Sequence, residues 1–178
     1  MNFYTRSYNL YLLAALLISS LVCGCTTAGH KKKEQAKMGT LRVHVATHGN
    51  LPDHSQTVKV LRANPVEVTI SGDPILSEGN ILRASVVDTP GGFAIKVKFD
   101  EYSAWILEQN SAANPGGHFV IFGQWPGSAG RWLAAPLITG HNASGELSFT
   151  PDCSYAEATN LVTSVNYAAQ KIHEGSLK

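Results

Sequence analysis

Short segments in which apolar and polar residues alternate constrain the fold of this chain more than any other feature. The clearest two are "ILRASVVDT" and "GFAIKVKF", which a Pro-Gly-Gly turn at 90–92 joins. In the second segment every other residue from Phe93 to Phe99 is apolar, and Lys96 and Lys98 lie on the opposite face. A period of two predicts a β-strand with one buried face, and a Gly/Pro turn between two strands indicates a hairpin. These segments therefore predict an antiparallel sheet.

Further segments extend this pattern along the chain. They are "LRVHVATHG", "TVKVLR", "PVEVTI", "HFVIFGQW", "RWLAAPLI" and "ELSFT". Proline lacks the N–H that a central strand donates, so Pro65 is expected at the start or edge of its strand. For the same reason Pro136 is expected at an edge or an irregular end.

Two segments change to a helical period. "DEYSAWILEQNSAAN" carries acids in its first turn and places Tyr102 and Trp105 on one side, which predicts a helix with Trp105 in the core. The C-terminal segment opens with Ser154 and Glu157 at capping-box spacing, and its apolar residues recur every three or four positions to about Lys171. The predicted fold class is α+β, a mainly antiparallel sheet with two amphipathic helices on one face.

The first 24 residues form a separate segment whose one charge is Arg6. Residues 9–22 are almost wholly apolar, which fits a secretory signal and is short of the roughly 20 residues that span a bilayer. The motif "VCGC" at 22–25 then resembles the bacterial lipoprotein signal, in which a small residue precedes the lipidated cysteine. The resemblance implies cleavage between Gly24 and Cys25, lipidation of Cys25, and loss of Cys23 with the signal. The alternatives are an uncleaved signal anchor and a redox or metal role for the two cysteines.

Lipidation would hold the domain at a membrane and outside the cytoplasm, because two or more acyl chains anchor a protein stably. Thr26, rather than aspartate, follows the cysteine, which under the resembled sorting rule favours the outer membrane over the cell membrane. Residues 25–39 are polar without apolar periodicity and are predicted to be a flexible tether. Residues 40–72 are predicted to be an N-terminal β extension, and residues 73–178 an α+β domain.

The charge balance excludes nucleic acid as a general partner. The sequence has 14 Lys and Arg against 13 Asp and Glu, and loss of Arg6 with the signal leaves a net charge of zero. A neutral chain lacks the attraction to phosphates that nucleic-acid binding requires. The run Lys31 to Lys33 is predicted to be a solvated part of the tether, with weak attraction to anionic lipid headgroups as the alternative.

No catalytic site, metal site or cofactor is predicted. The sequence contains no nucleophile elbow, no zinc-protease motif and no phosphate-binding glycine loop. His44, His48 and His54 could converge across a turn, but beyond Asp53 no acid or cysteine stands at ligand spacing, so solvent-facing histidines are the default. Cys153 is expected to be a half-buried residue rather than a nucleophile. The chain is therefore predicted not to be an enzyme.

Trp125 and Trp132 are the candidate contact residues for polypeptide or protein. They flank a loop of Gly, Pro and Ser. An exposed aromatic pair at such a loop could hold an extended peptide. The alternative is that both side chains pack the loop onto the domain.

From about Pro74 onward the order of motifs resembles the periplasmic head subdomain of SecD, part of the SecDF protein-export machinery. The similar segments are "DPILSEGNILRASVVD", "GGFAIKVKFDEYSAWILEQNSA", "HFVIFGQW", "WLAAPLI" and "GELSFTPDCSYAEATNLVTSVN". The resemblance covers the C-terminal part of the chain and rests on the ordered set rather than on one motif. It implies the SecD head fold for residues 73–178.

Two departures from the family limit what the resemblance implies about function. Residues 123–131 replace the Asp-Gly that precedes the family's Ala-Pro segment, and the Gly-Leu-Pro tail that leads SecD into its membrane helices is absent. The expected function is therefore that of a membrane-anchored lipoprotein whose head-like domain contacts polypeptide or an envelope or translocase complex, with no proton-driven motor of its own. The alternatives are a structural envelope lipoprotein without a soluble ligand and an envelope hydrolase.

Overall fold

The computed structural model of the chain describes residues 35–47 and 54–176. The chain divides into Met1–Ala36 and a second compact unit, Lys37–Lys178, whose fold is described below. The strands of the predicted N-terminal β extension lie within this second unit. The predicted signal peptide, the cleavage and lipidation residues Gly24 and Cys25, and residues 25–34 of the predicted tether lie outside the described residues.

Strands and helices follow the order that the sequence predicts. The strands are β1 (Thr40–Val45), β2 (Ser55–Val60), β3 (Val66–Ser71), β4 (Ile81–Thr89), β5 (Gly92–Phe99), β6 (Phe119–Gln124), β7 (Arg131–Ala134) and β8 (Glu146–Phe149). The helices are α1 (Glu101–Ala113) and α2 (Tyr155–Ser176), and a 3-10 turn covers Glu78–Asn80.

Every strand pair in the described residues is antiparallel, which confirms the predicted α+β class. The described strands form three sheets, in the orders β1-β6-β7, β2-β3 and β4-β5-β8, rather than one continuous sheet. The separation falls between β7 and β8. Asp152 N–H donates to Leu133 O at 2.8 Å just beyond the end of β8, so the chain adjoins β7 there although β7 and β8 do not pair. Pro136 lies just beyond the end of β7, where its C=O accepts from Phe119 N–H at 3.1 Å.

The main core lies between α2 and the sheets. The inward face of α2 contributes Ala158, Leu161, Val165 and Ala169, all fully or almost fully buried. Helix and sheet approach closely at Gly123 of β6, where a Cβ atom would stand 3.1 Å from Leu161 Cδ2 of α2 and 2.5 Å from Leu133 Cδ1 of β7. The missing side chain at Gly123 therefore leaves room for Leu133 and Leu161 to pack against the strand.

Helix α2 also covers one edge of a sheet. The side-chain amide of Asn166 accepts from Ala84 N–H at 2.7 Å and donates to Ala84 O at 2.9 Å. These two bonds satisfy the backbone of β4 on the side away from β5, where an open edge would invite pairing with another chain. The capping box predicted at the start of α2 is confirmed, since Ser154 N–H donates to Glu157 Oε2 at 2.8 Å and Glu157 N–H donates to Ser154 Oγ at 3.3 Å. Within the described part of the chain, no helix combines the length and the apolar character needed to cross a membrane.

Helix α1 begins as predicted but buries a different face. Asp100 caps it by accepting from Ser103 N–H at 2.7 Å. The buried residues are Ser103, Leu107 and Ser111, one turn apart, and Trp105 is exposed, so the prediction of a core position for Trp105 is wrong. Helix α1 lies close to the segment before β8, since a Cβ at Gly145 would stand 2.7 Å from Ala104 Cβ and Asn142 N–H donates to Ser111 Oγ at 2.9 Å.

Candidate functional site

Trp125, one of the two predicted contact residues, is a core residue in the structure. Only 7% of its surface is exposed, and it packs in the main hydrophobic cluster. The guanidinium of Arg131 covers its ring at 4.9 Å from the centroid. The same guanidinium donates to both carboxylate oxygens of Glu157 at 3.2 Å and to Asp152 O at 3.1 Å. Trp125 therefore cannot grip a peptide without displacing this set of contacts.

Trp132, the other predicted contact residue, belongs to a second, smaller cluster beneath the β2–β3 hairpin. It is half-buried, and its ring meets His44 at 5.2 Å and Phe122 at 5.3 Å, both edge to face. The two tryptophans thus pack into different clusters and do not form an exposed pair.

His44 differs from the expectation of solvent-facing histidines, because it is buried in the structure. Its Nδ1 lies 3.0 Å from Ser71 O, to which the N–H form donates. Burial is the main cause that lowers the pKa of His44, so the neutral ring is favoured. His48 lies outside the described residues, and no cluster of metal-binding side chains is present among those that are described.

A polar cluster joins the β2–β3 hairpin to the start of α2. Asp152 Oδ2 accepts from Arg62 N–H at 2.7 Å and from Arg62 Nε at 3.3 Å. Hydrogen bonding from the Ser154 backbone is the largest cause that lowers the pKa of Glu157, and Arg131 adds to it. Between these charges lies Cys153, half-buried as the sequence predicts, and burial raises the pKa of its thiol to about 11. A thiol with this pKa is protonated near neutral pH and is a poor nucleophile.

The exposed face of α1 presents the aromatic surface that sequence reasoning missed. Tyr102 is 69% exposed and Trp105 is 54% exposed. Their rings are stacked, with centroids 6.1 Å apart and planes inclined by 29°. The signal that could have revealed them is the spacing of Ser103, Leu107 and Ser111, three small or apolar residues at intervals of four.

A groove of about 410 Å³ lies between β8 and the segment 136–144, near the C-terminal end of α1. Leu137, which is exposed, and the buried residues Phe119 and Leu147 contribute apolar surface to it. At the groove His141 Nε2 lies 2.7 Å from Glu108 Oε1 of α1. In the described chain, no hydroxyl or thiol is hydrogen-bonded to the other ring nitrogen of His141.

The face of the β4-β5-β8 sheet that points away from the core is basic. A hollow of about 210 Å³ on this face is lined by Arg83, Lys96, Lys98, Glu146 and Ser85. Glu146 lies 2.6 Å from Lys96 Nζ and 3.9 Å from Lys98 Nζ. The hydrogen bond from Lys96 is the main cause that lowers the pKa of Glu146. Three cations around one carboxylate leave this face positive.

Comparison with known proteins identifies the fold. No protein-family model and no curated protein sequence matches the chain. A solved structure of SecDF, described as a membrane component that enhances protein export, matches with a TM-score of 0.56 and 18% identity over 82% of this chain and 71% of that one. SecDF in a super-membrane-facing form matches with a TM-score of 0.56 and 17% identity over 81% of this chain. The fold is SecD-like.

The likeness reaches further along the chain than the sequence motifs do. Residues 73–178 are less than two thirds of the chain, so a match over 82% of it also includes residues before the predicted head-like domain. The chain spans 21% of the length of the super-membrane-facing SecDF chain. At 17% and 18% identity the likeness shows the fold, and what the domain does is a separate question.

Proposed function

We propose that this chain is a lipid-anchored lipoprotein of the cell envelope whose SecD-like domain contacts polypeptide or proteins of an envelope or translocase complex. The observation that carries the proposal is the SecD-like fold. The structure of SecDF, a protein described as enhancing protein export, matches 82% of this chain. The proposed role is binding without catalysis, and it includes no proton-driven motor. The proposed anchor is Cys25, after cleavage at Gly24.

The exposed face of α1 supports a binding role. Large aromatic side chains are enriched where proteins bind other proteins, because they bury much apolar area at low cost in side-chain entropy. The domain buries Trp125 and half-buries Trp132, whereas Trp105 stays 54% exposed beside Tyr102. A partner that covers Tyr102 and Trp105 would remove this apolar surface from water.

Site-specific crosslinking in membranes tests the proposal. A photo-crosslinking amino acid replaces Trp105, and in a matched variant it replaces Thr159, an exposed residue of α2. We expect crosslinks to translocating polypeptide or to Sec components from position 105 and far fewer from position 159.

Two results would contradict the proposal. One is a set of crosslinked partners that contains only other envelope lipoproteins, which would favour a purely structural role. The other is equal crosslinking from positions 105 and 159, which would remove the exposed face of α1 from the binding surface.

A further inference from the structure

The outer edge of β8 has backbone groups with which another strand could pair. Among the described strands, β5 is the partner of β8, and none pairs with its other side. Phe99 N–H donates to Gly145 O at 3.0 Å, which fixes the hydrogen-bonding phase of the β5–β8 ladder. Because hydrogen-bonded and non-hydrogen-bonded pairs alternate in an antiparallel ladder, the backbone groups of Glu146 and Ser148 point away from β5.

Side chains of the preceding loop occupy the first half of this edge. Glu146 N–H donates to Ser144 Oγ at 3.1 Å, and Glu146 O accepts from Asn142 Nδ2 at 2.8 Å. Asn142 is itself held in place, because its N–H donates to Ser111 Oγ of α1 at 2.9 Å. At Glu146 these two side chains make the backbone hydrogen bonds that a neighbouring strand would otherwise make.

The second half of the edge is open. Ser148 is exposed and lines the 410 Å³ groove, and its backbone N–H and C=O have no hydrogen-bond partner among the described residues. A donor and an acceptor on one sheet edge, beside a groove whose polar lining also includes the apolar side chains of Phe119, Leu137 and Leu147, match the chemistry of an extended polypeptide. Its backbone would pair with Ser148 and its alternate side chains would enter the groove.

We propose that the groove binds an extended polypeptide segment, which adds to β8 as an antiparallel or parallel strand through the backbone of Ser148. This inference rests on the proposed polypeptide-binding function and assigns it a site and a mode. Peptide side chains that point away from the groove would lie at the basic outer face, where Arg83, Lys96 and Lys98 surround Glu146. The positive charge of this face favours acidic residues there. The favoured segment alternates apolar residues with acidic ones.

Binding of a short fluorescent peptide that alternates valine and glutamate, measured by anisotropy with the full-length protein in detergent micelles, tests the proposal. Ser148→Pro removes the outward N–H, and Ser148→Ala keeps it while shortening the same side chain. We expect Ser148→Pro to raise Kd by about tenfold, because one hydrogen bond to the partner is lost, and Ser148→Ala to leave Kd nearly unchanged. The matching peptide of valine and lysine should bind more weakly than the glutamate peptide.

A second measurement keeps the test decisive if Ser148→Pro does not fold. Two valine–glutamate peptides are N-methylated on alternate backbone nitrogens, in opposite phases, and are bound to the unmodified protein. A strand that pairs with β8 uses the N–H groups of one phase, so one methylated peptide should lose affinity and the other should keep it. Equal binding of both peptides, or unchanged Kd in folded Ser148→Pro, would overturn strand addition.

The outcome is separable from that of the proposed function. If position 105 crosslinks translocating polypeptide while Ser148→Pro binds the peptide normally, polypeptide binding stands and the β8 site is wrong. If neither assay detects polypeptide, the β8 site is wrong, and if position 105 also crosslinks no Sec component, the proposed function is wrong as well.

Discussion

His44 shows how a residue's environment inverts an expectation from local sequence. The alternation in β1 places His44 opposite Leu41, Val43 and Val45, which predicts a solvent-facing ring. The β2–β3 hairpin covers that face instead, and Ser71 O accepts from the ring. The sequence pattern records which residues share a face of one strand, but it does not record that a distant hairpin packs on the polar face as well.

Burial of His44 makes stability depend on pH. Because the pKa of His44 is lowered in the folded state, the unfolded chain binds a proton first as pH falls. Stability is therefore lost on acidification from roughly pH 6.5 towards the lower folded pKa. We expect the urea midpoint of the protein to fall between about pH 7.5 and about pH 5.5, and to fall less in His44→Gln, which does not titrate. The matched control is His54→Gln, at an exposed position. If the urea midpoint of His44→Gln depends on pH as strongly as that of the unmodified protein, His44 is not the cause.

The thiol of Cys153 should be slow to react in the folded protein. Its pKa is raised from 9.0 to about 11, mainly by burial, which reduces the thiolate fraction near neutral pH by about a hundredfold. In a Cys23→Ala, Cys25→Ala background, we expect modification by a disulfide reagent to be at least that much slower in buffer than in urea. Comparable rates in the two conditions would show that Cys153 is accessible and ionised in the folded state.

At the scale of elements, the sequence predicted the strands and helices well but not all of their faces. Apolar alternation located the hairpin of β4 and β5, and the Ser154–Glu157 pair located the start of α2, because these signals are local. The orientation of α1 depends on how closely it lies to the loop before β8, with Ala104 beside Gly145. That approach is a tertiary contact, so the large aromatic Trp105 appeared to be the core residue from the sequence alone.

The contact between α2 and β4 is predicted to be a large local contribution to stability. Asn166→Ala removes both hydrogen bonds to Ala84 and leaves a partly buried backbone donor and acceptor without their partner. We expect the free energy of unfolding to fall by about 1–3 kcal/mol, measured by urea denaturation. Asn160→Ala, at an exposed position of the same helix, should change it by less than about 0.5 kcal/mol. Because alanine has a higher helix propensity than asparagine, propensity alone would stabilise both variants. A loss in Asn166→Ala no larger than that in Asn160→Ala would show that the edge contact contributes little.

At the scale of the whole molecule, the sequence predicted the class of fold and overestimated the continuity of the sheet. Each strand was recognisable by itself, yet the pairing of β1 with β6 and the separation of β7 from β8 depend on residues far apart in the chain. The separation leaves the groove along the side of β8 that a continuous sheet would have covered. The predicted tryptophan site could not show this, because a groove between two strand edges has no local sequence signal.

In the proposed function, attachment of the domain to the membrane depends on the lipidation of one cysteine, Cys25. If Cys25 is the lipidated residue, Cys25→Ala should abolish metabolic labelling with a radioactive fatty acid and release or mis-process the protein, because the remaining apolar segment is short of a bilayer span. Cys23→Ala is the matched control and should leave both labelling and membrane association intact, since Cys23 departs with the signal. Loss of labelling in Cys23→Ala instead would move the cleavage site, and labelling that survives in Cys25→Ala would remove the lipid anchor from the proposed function. In either case the polypeptide-binding proposal would still be testable in micelles, because the β8 groove and the α1 face belong to the compact unit Lys37–Lys178.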